Sequence, residues 1–330
     1  MRILLIRTDK IGDAVTVLPA IALLRRQIPD AYIAVFCSEY VKDIYKNNPD
    51  INEIIIKTSL KADIQTIKSK HFDISVIFYL DKYAAKLAYK ARIPQHIGPA
   101  SKIWALLLNR RIKQSRSKEL KHEADYNIDL LAPLGVRPEQ VAPKIYVTKE
   151  NALKAKRYLK EKFNIDTQKD KFIIVHPGTG GSSLKWPADN FAELIKKTAE
   201  AFPQYKILLT GGTAEKELLS FVSKQAEPAK TFIANEFPLL FDLISVINEC
   251  SLFVANATGP LHIASALGKK TVSFYPNVKG ATVKRWAPYG KGHITLVAGS
   301  GKPIKKKQCP PDFMSQITVD DAFEAVKKQL

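Results

Sequence analysis

Residues 172–187, FIIVHPGTGGSSLKWP, constrain this chain more than any other stretch. The apolar run Phe172-Ile173-Ile174-Val175 is rich in β-branched residues and too short for a buried helix, so it reads as a central strand of a parallel sheet. The chain then turns at His176-Pro177 and enters Thr179, Gly180, Gly181, Ser182 and Ser183, with Lys185 adding a positive charge. Backbone N–H groups with little side-chain cover, hydroxyls beside them and a nearby lysine suit a phosphate. Gly and Ser are also ordinary turn residues, so the letters alone allow a plain strand-to-helix connection. What favours the binding reading is recurrence: the apolar run at 206–209 enters a second loop of the same kind, Thr210-Gly211-Gly212-Thr213.

The same rhythm of short apolar strand, turn and helix runs through the chain. Strands are expected at 3–6, 32–36, 54–56, 74–78, 172–175, 206–209, 231–233, 252–255 and 271–275, with helical segments between them. That alternation predicts doubly wound parallel sheets. Apolar residues at helical spacing (Val15, Leu18, Ile21, Ala22, Leu24, Ile28) predict one helix over 11–28, with Gly12 in the turn before it and Asp13 in its first turn. Gly135, Pro138 and Pro143 interrupt the pattern and mark a boundary between domains 1–147 and 148–330. A length of 330 residues suits two domains of about 150 each. The fold class expected is therefore α/β, two Rossmann-like domains facing a cleft, with a last helix over 318–330 that is able to pack back on the first domain.

Charge narrows the partners. Lys+Arg 51 against Asp+Glu 32 gives +19, a field that favours nucleic acid, an acidic membrane surface or a phosphorylated substrate. Residues 102–122 join the apolar run 103–108 to Arg110, Arg111, Lys113, Arg116, Lys118 and Lys121. This is the composition of a membrane-surface or anionic-ligand contact, and equally of a packed helix leading into a solvated basic loop. No aromatics interleave that basic run and no nucleic-acid motif is present, which argues against nucleic acid. The first turn, Thr8 to Asp13, holds one glycine where a dinucleotide fingerprint needs three, which argues against an oxidoreductase. Cys37, Cys250 and Cys309 lie far apart and none of the six histidines has metal spacing, so no disulfide framework and no metal are expected. No apolar run approaches a signal-peptide core or the roughly 20 residues of a membrane span, so a cytoplasmic, soluble protein is expected.

Three elements in order, Gly12-Asp13, the 176–187 loop and Asn256-Ala257-Thr258-Gly259-Pro260-Leu261-His262, resemble the family 9 glycosyltransferases, the bacterial lipopolysaccharide heptosyltransferases. The resemblance runs from the first residue to the last helix. It implies a GT-B fold, an acceptor on the N-terminal domain, a nucleotide sugar (usually ADP-heptose) on the C-terminal domain, and inverting transfer without metal or cofactor. On that resemblance Asp13 is the general base and Lys185 is the second catalytic residue, holding the charge that grows on the departing nucleotide. Donor contacts would come from Thr179, Gly180, Gly181, Ser182, Ser183, Lys185, Asn256, Thr258, Gly259, Pro260 and His262. Glu215 would take the ribose hydroxyls, with Glu217 as the substitute. Lys10, Gly12, Arg110, Arg111 and Lys113 would face an anionic glycolipid acceptor. The partners implied are that acceptor, the donor and the acidic inner-membrane surface, with the chain acting as a monomer. Two departures stand out: Ala257 replaces an aspartate expected to contact the sugar, and the family's lysine position, two residues before Trp186, holds Leu184.

Overall fold

Six parallel strands form the first sheet: β1 (Arg2–Ile6), β2 (Tyr32–Cys37), β3 (Glu53–Ile56), β4 (Ile74–Ile77), β5 (Gln95–Pro99) and β6 (Arg110–Ile112). Their spatial order is β3-β2-β1-β4-β5-β6. The chain winds outward from β1 to β3, then returns to the other side of β1 to lay down β4, so the winding reverses between β1 and β4. Loops at the carboxyl ends of strands beside such a reversal are where open α/β sheets gather ligands. Helices on both faces explain why β1 is apolar at successive positions: Ile3, Leu4, Leu5 and Ile6 are all buried. Leu4 and Ile6 join Phe36, Ile77, Ala84 and Leu87 in one cluster.

These coordinates are a computed structural model that describes residues 1–181, 183–226 and 231–330. The chain divides into two units, Met1–Tyr146 and Val147–Leu330. The second unit holds β7 (Lys171–His176), β8 (Tyr205–Thr210), β9 (Thr231–Ala234), β10 (Leu252–Asn256), β11 (Lys270–Pro276) and β12 (His293–Ala298), all parallel in the order β12-β11-β10-β7-β8-β9. Read from the other edge, this is the winding of the first sheet repeated, with the reversal now between β7 and β10. The C-terminal helix Val319–Gln329 packs on the helix Ala188–Ala201 and on β11, burying Ala322, Ala325 and Val326 in the core of this unit. No helix among the described residues is long and apolar enough to cross a membrane.

Three strands were not expected from sequence. β5 contains Gly98 and Pro99, which read as turn residues; a Cβ on Gly98 would lie 2.8 Å from Leu108 Cδ1, so glycine makes room for the buried Leu108 side chain against the sheet. β6 is an arginine-rich edge strand with a single neighbour, the position where charge blocks stray pairing. β12 is the opposite kind of edge, only half-buried along most of its length.

The helix expected over 11–28 is two helices, Ile11–Val15 and Leu18–Gln27. Pro19 has no N–H to donate to Val15, so the first helix cannot run on. Its last turn closes instead through Thr16 Oγ1, which donates to the Asp13 carbonyl at 2.7 Å. Asn127 Nδ2 then donates to both Thr16 O and Thr16 Oγ1 at 3.1 Å. The break thus ties the short helix carrying Asp13 to the helix Glu123–Asp129.

Candidate functional site

In the first unit the site grows from the residue after β1. Arg7 is 2% exposed, an expensive place for a guanidinium unless carboxylates surround it. Its Nε donates to Asp9 Oδ1 at 2.6 Å and its Nη2 donates to Asp13 Oδ1. Nη1 has no hydrogen-bond partner among the described residues but faces Glu123 Oε1 at 3.6 Å. Arg116 Nη1 donates to the same Glu123 oxygen, and Glu123 itself is 1% exposed. Burial alone would pull the Arg7 pKa down; Asp13, Asp9 and Glu123 outweigh it and leave it raised. Asp13 is pushed up to about 6, chiefly by burial, with Arg7 pulling down and Asp9 and Glu123 pushing up. Its side chain keeps 18% exposure, so the carboxylate is strongly desolvated yet reachable.

Lys10 is exposed and Gly12 half-buried, both beside Asp13 in sequence. Arg110, Arg111 and Lys113 are exposed at the sheet edge, three strands from β1, which at strand spacing is about 14 Å away. The structure does not bring these three onto the Asp13 carboxylate. The basic residue of the same segment that joins the cluster is Arg116, which reaches Glu123 rather than Asp13. Arg7, Asp9 and Glu123 were missed as site residues by the sequence reading, and Arg116 entered it only as a member of the basic run. Arg7 left one usable signal, a charge directly abutting an unbroken apolar strand.

In the second unit the three loops foreseen from sequence follow three adjacent strands, with Ala255 level with His176 and Val175 level with Leu209. They therefore open side by side at the reversal. Gly180 and Gly181 have φ of 53° and 79°, the left-handed region that glycine adopts without cost. Glu215 bridges two of the loops: its Oε1 accepts from Gly180 N at 3.3 Å and its Oε2 from Gly212 N at 3.0 Å. A Cβ on Gly178 would lie 1.9 Å from Glu215 Oε1, so the carboxylate rests directly on that glycine. Glu215 belongs to the 3₁₀ turn Thr213–Glu215, while Glu217 lies on the helix that follows.

Asn256 is 0% exposed and both ends of its amide are engaged: Oδ1 accepts from Trp186 N at 2.9 Å and Nδ2 donates to the Pro177 carbonyl at 2.7 Å. Trp186 is in turn anchored, stacked on Phe274 at 4.2 Å and donating from Nε1 to Ile317 O at 2.8 Å. Leu184 packs against the core beside it, while Lys185 is exposed. Thr179 is buried, and Ser183 Oγ is shielded from solvent with no hydrogen-bond partner among the described residues. Ser182 lies outside the described residues. Thr258 is the cap residue of the helix Gly259–Ala266, with Pro260 in its first turn and His262 buried within it. His176 Nδ1 is 3.0 Å from Thr210 Oγ1, and burial pushes the ring pKa down to about 4, so it is neutral at pH 7.

Comparison with known proteins follows the same lines. The family model described as glycosyltransferase family 9 (heptosyltransferase) matches residues 61–313. A Haemophilus influenzae protein whose glycosyltransferase name is provisional is 31% identical over 98% of this chain and 95% of its own length. The crystal structure of a family 9 glycosyl transferase from Veillonella parvula aligns with a TM-score of 0.86 at 23% identity, over 99% of this chain and 96% of that one. ADP-heptose lps heptosyltransferase II of E. coli aligns with a TM-score of 0.83 at 19% identity, over 100% and 98% of the two chains. The two wound sheets are those of the GT-B fold.

Proposed function

The chain belongs to glycosyltransferase family 9, and from that premise we propose that it transfers heptose from ADP-heptose to an anionic glycolipid acceptor of lipopolysaccharide synthesis, inverting the anomeric carbon. An acceptor hydroxyl oxygen attacks that carbon as the bond to the ADP β-phosphate oxygen breaks. The hydroxyl proton passes to Asp13 and the electron pair leaves on ADP. The observation that carries this reading is the reachable Asp13 carboxylate held by buried Arg7 with its pKa at about 6. It is ionised at pH 7, yet binds a proton about a hundredfold more readily than an ordinary aspartate, which is the tuning a general base needs.

The charge gathering on ADP needs fixed donors where the bond breaks. The amides of Gly180 and Gly181, the hydroxyls of Thr179 and Ser183, the charge of Lys185 and the first turn of the helix Gly259–Ala266 would supply them. Glu215 would then turn to the ribose hydroxyls and release the Gly180 amide to a phosphate oxygen. Asn256, with its amide fully engaged, would hold the 176–187 loop in place rather than touch the sugar. Lys10, Arg110, Arg111 and Lys113 would draw in an anionic acceptor. The protein would work in the cytoplasm at the inner face of the membrane, as a monomer, with no metal or cofactor.

Ala257 bears directly on the donor, since no carboxylate stands there to contact a sugar. A thermal-shift panel on the wild type and on Asp13→Asn tests both halves of the reading. ADP-heptose should raise the midpoint of both proteins alike, and more than UDP- or GDP-sugars do, while Asp13→Asn loses transfer by about a thousandfold. A larger shift with a UDP- or GDP-sugar would move the donor to another nucleotide. Near-normal turnover by Asp13→Asn would remove it as the base.

A further inference from the structure

Single exposed apolar residues are normal on a protein surface; two large ones side by side, ringed by one sign of charge, are not. Ile103 is 72% exposed and Leu106 is 70% exposed, the two highest values among the large apolar side chains described. They lie on the 3₁₀ segment Ile103–Leu107, where residues three apart eclipse, so both project from one side. The opposite side is anchored: Ala105 is buried, and Trp104 and Leu107 pack against the core cluster of the first unit. Around this pair the sequence is one-sided. Residues 82–118 contain ten Lys or Arg and no Asp or Glu. Lys82, Lys102, Arg110 and Arg111 among them are exposed. Lys82 Nζ sits 5.7 Å from the Trp104 ring, at the root of the apolar pair.

The patch is also continuous with the Asp13 site inside the first unit. Tyr79, which follows β4 at the sheet reversal, has Lys102 Nζ 4.0 Å over its ring and Arg7 Cζ at 5.8 Å. The segment bearing Ile103 and Leu106 is thus linked to the Asp13 cluster through Lys102, Tyr79 and Arg7.

We propose that the Ile103–Leu107 segment docks on an anionic lipid bilayer, with Ile103 and Leu106 entering the interfacial layer and Lys82, Lys102, Arg110 and Arg111 resting on headgroup phosphates. Charge complementarity selects this occupant: a cationic belt around two short apolar side chains matches an acidic interface, where apolar burial and attraction to anionic lipid act together. The proposal rests on the reading that the acceptor is a membrane-borne glycolipid, and adds which surface brings the enzyme to it.

Flotation of the full chain with phosphatidylcholine vesicles, with and without phosphatidylglycerol, tests this. Wild type should bind the anionic vesicles at least tenfold better than neutral ones, less so as salt rises. The double variant Ile103→Ser/Leu106→Ser should lose about tenfold of that binding while keeping wild-type turnover on a water-soluble acceptor. Leu153→Ser, which removes another largely exposed leucine, from the second unit, should bind like wild type. Wild-type vesicle binding by the double variant, or no preference of the wild type for anionic lipid, overturns the proposal. So does loss of a self-associated form on sizing the double variant, which would make a second copy the occupant. Turnover on the soluble acceptor reports separately on the transfer reading, so failure of the two can be told apart.

Discussion

The two sheets of this protein wind in the same order and gather loops at the same place, yet the chemistry put there differs in kind. At the first reversal the groups are charged side chains, Arg7 among Asp9, Asp13 and Glu123, with Arg116 behind them. At the second they are backbone amides and hydroxyls laid over glycines, with one carboxylate, Glu215, bridging two loops. The winding decides where a site can be; the residues after the strands decide what it does. A group that must take a proton needs a tunable pKa, and only buried, interacting side chains give that. A site that must hold an anion needs donors fixed before the ligand arrives, and backbone amides give those without a buried charge.

The largest effect that would break this contrast falls on Arg7. Arg7→Met removes the counter-charge from three carboxylates, two of them mostly or wholly buried. It should cost about 3–5 kcal/mol at pH 7, the range for breaking a buried ion pair. Urea unfolding measures it, and the deficit should shrink towards pH 4 as the carboxylates take up protons. A loss under about 1 kcal/mol would mean that the cluster is solvated and that the first site is no more electrostatic than the second.

A smaller effect, opposite in sign, comes from Asp13. Its folded-state pKa, about 6, lies above the unfolded value near 4. The stability it contributes is thus fully present below about pH 4 and is lost as pH rises through 6, because ionising it in the folded site is costly. Asp13→Asn, fixed in a neutral form, should therefore be more stable than wild type at pH 8 by about 1–3 kcal/mol, with no gain below pH 4. Wild-type turnover should fall on the acid side with a midpoint near 6, since only the ionised carboxylate accepts the proton. Equal stability of the two proteins at every pH would show that Asp13 is not held at a cost.

The contrast also explains what could be read from the letters. The second site was legible because backbone chemistry announces itself: a glycine-rich loop after an apolar strand suits exposed amides, and two such loops were found, at 176–187 and 210–213, while 256–262, with one glycine, stood out through the family resemblance. The first was legible only at Asp13, through a family resemblance. Glu123 reaches Arg7 from more than a hundred residues away, through the pairing of two helices that Asn127 and Thr16 tie together. No local pattern encodes that. The apolar centres of both sheets were found by periodicity, whereas β5 and β6 were not, since they carry glycine and proline or arginine in place of the apolar run that identifies a buried strand. β12 keeps an apolar run, Ile294-Thr295-Leu296-Val297-Ala298, and that signal was overlooked. Pro19 was the signal for the break in the 11–28 helix, outweighed by apolar spacing that continues across it.

The smallest effect would sharpen the second site. Gly178 does not need glycine for its backbone angles; it needs it for room, since a Cβ there meets Glu215 Oε1 at 1.9 Å and Oε2 at 2.2 Å. Gly178→Ala should therefore push the carboxylate off its seat and leave the Gly180 and Gly212 amides to water. Both hydrogen bonds are solvent-exposed, so the cost to stability should be only about 1 kcal/mol. Glu215→Ala removes the same carboxylate outright and should cost about the same. The double variant should cost no more than either single one, because each change deletes one shared arrangement and the alanine at 178 no longer meets anything from Glu215. Melting temperatures of the four proteins give the stability cycle, and ADP titrations of the same four should show the same non-additivity in affinity. Additive losses in both would mean that the two glycine-rich loops act independently, and that the second site is two separate turns rather than one cradle closed by a carboxylate.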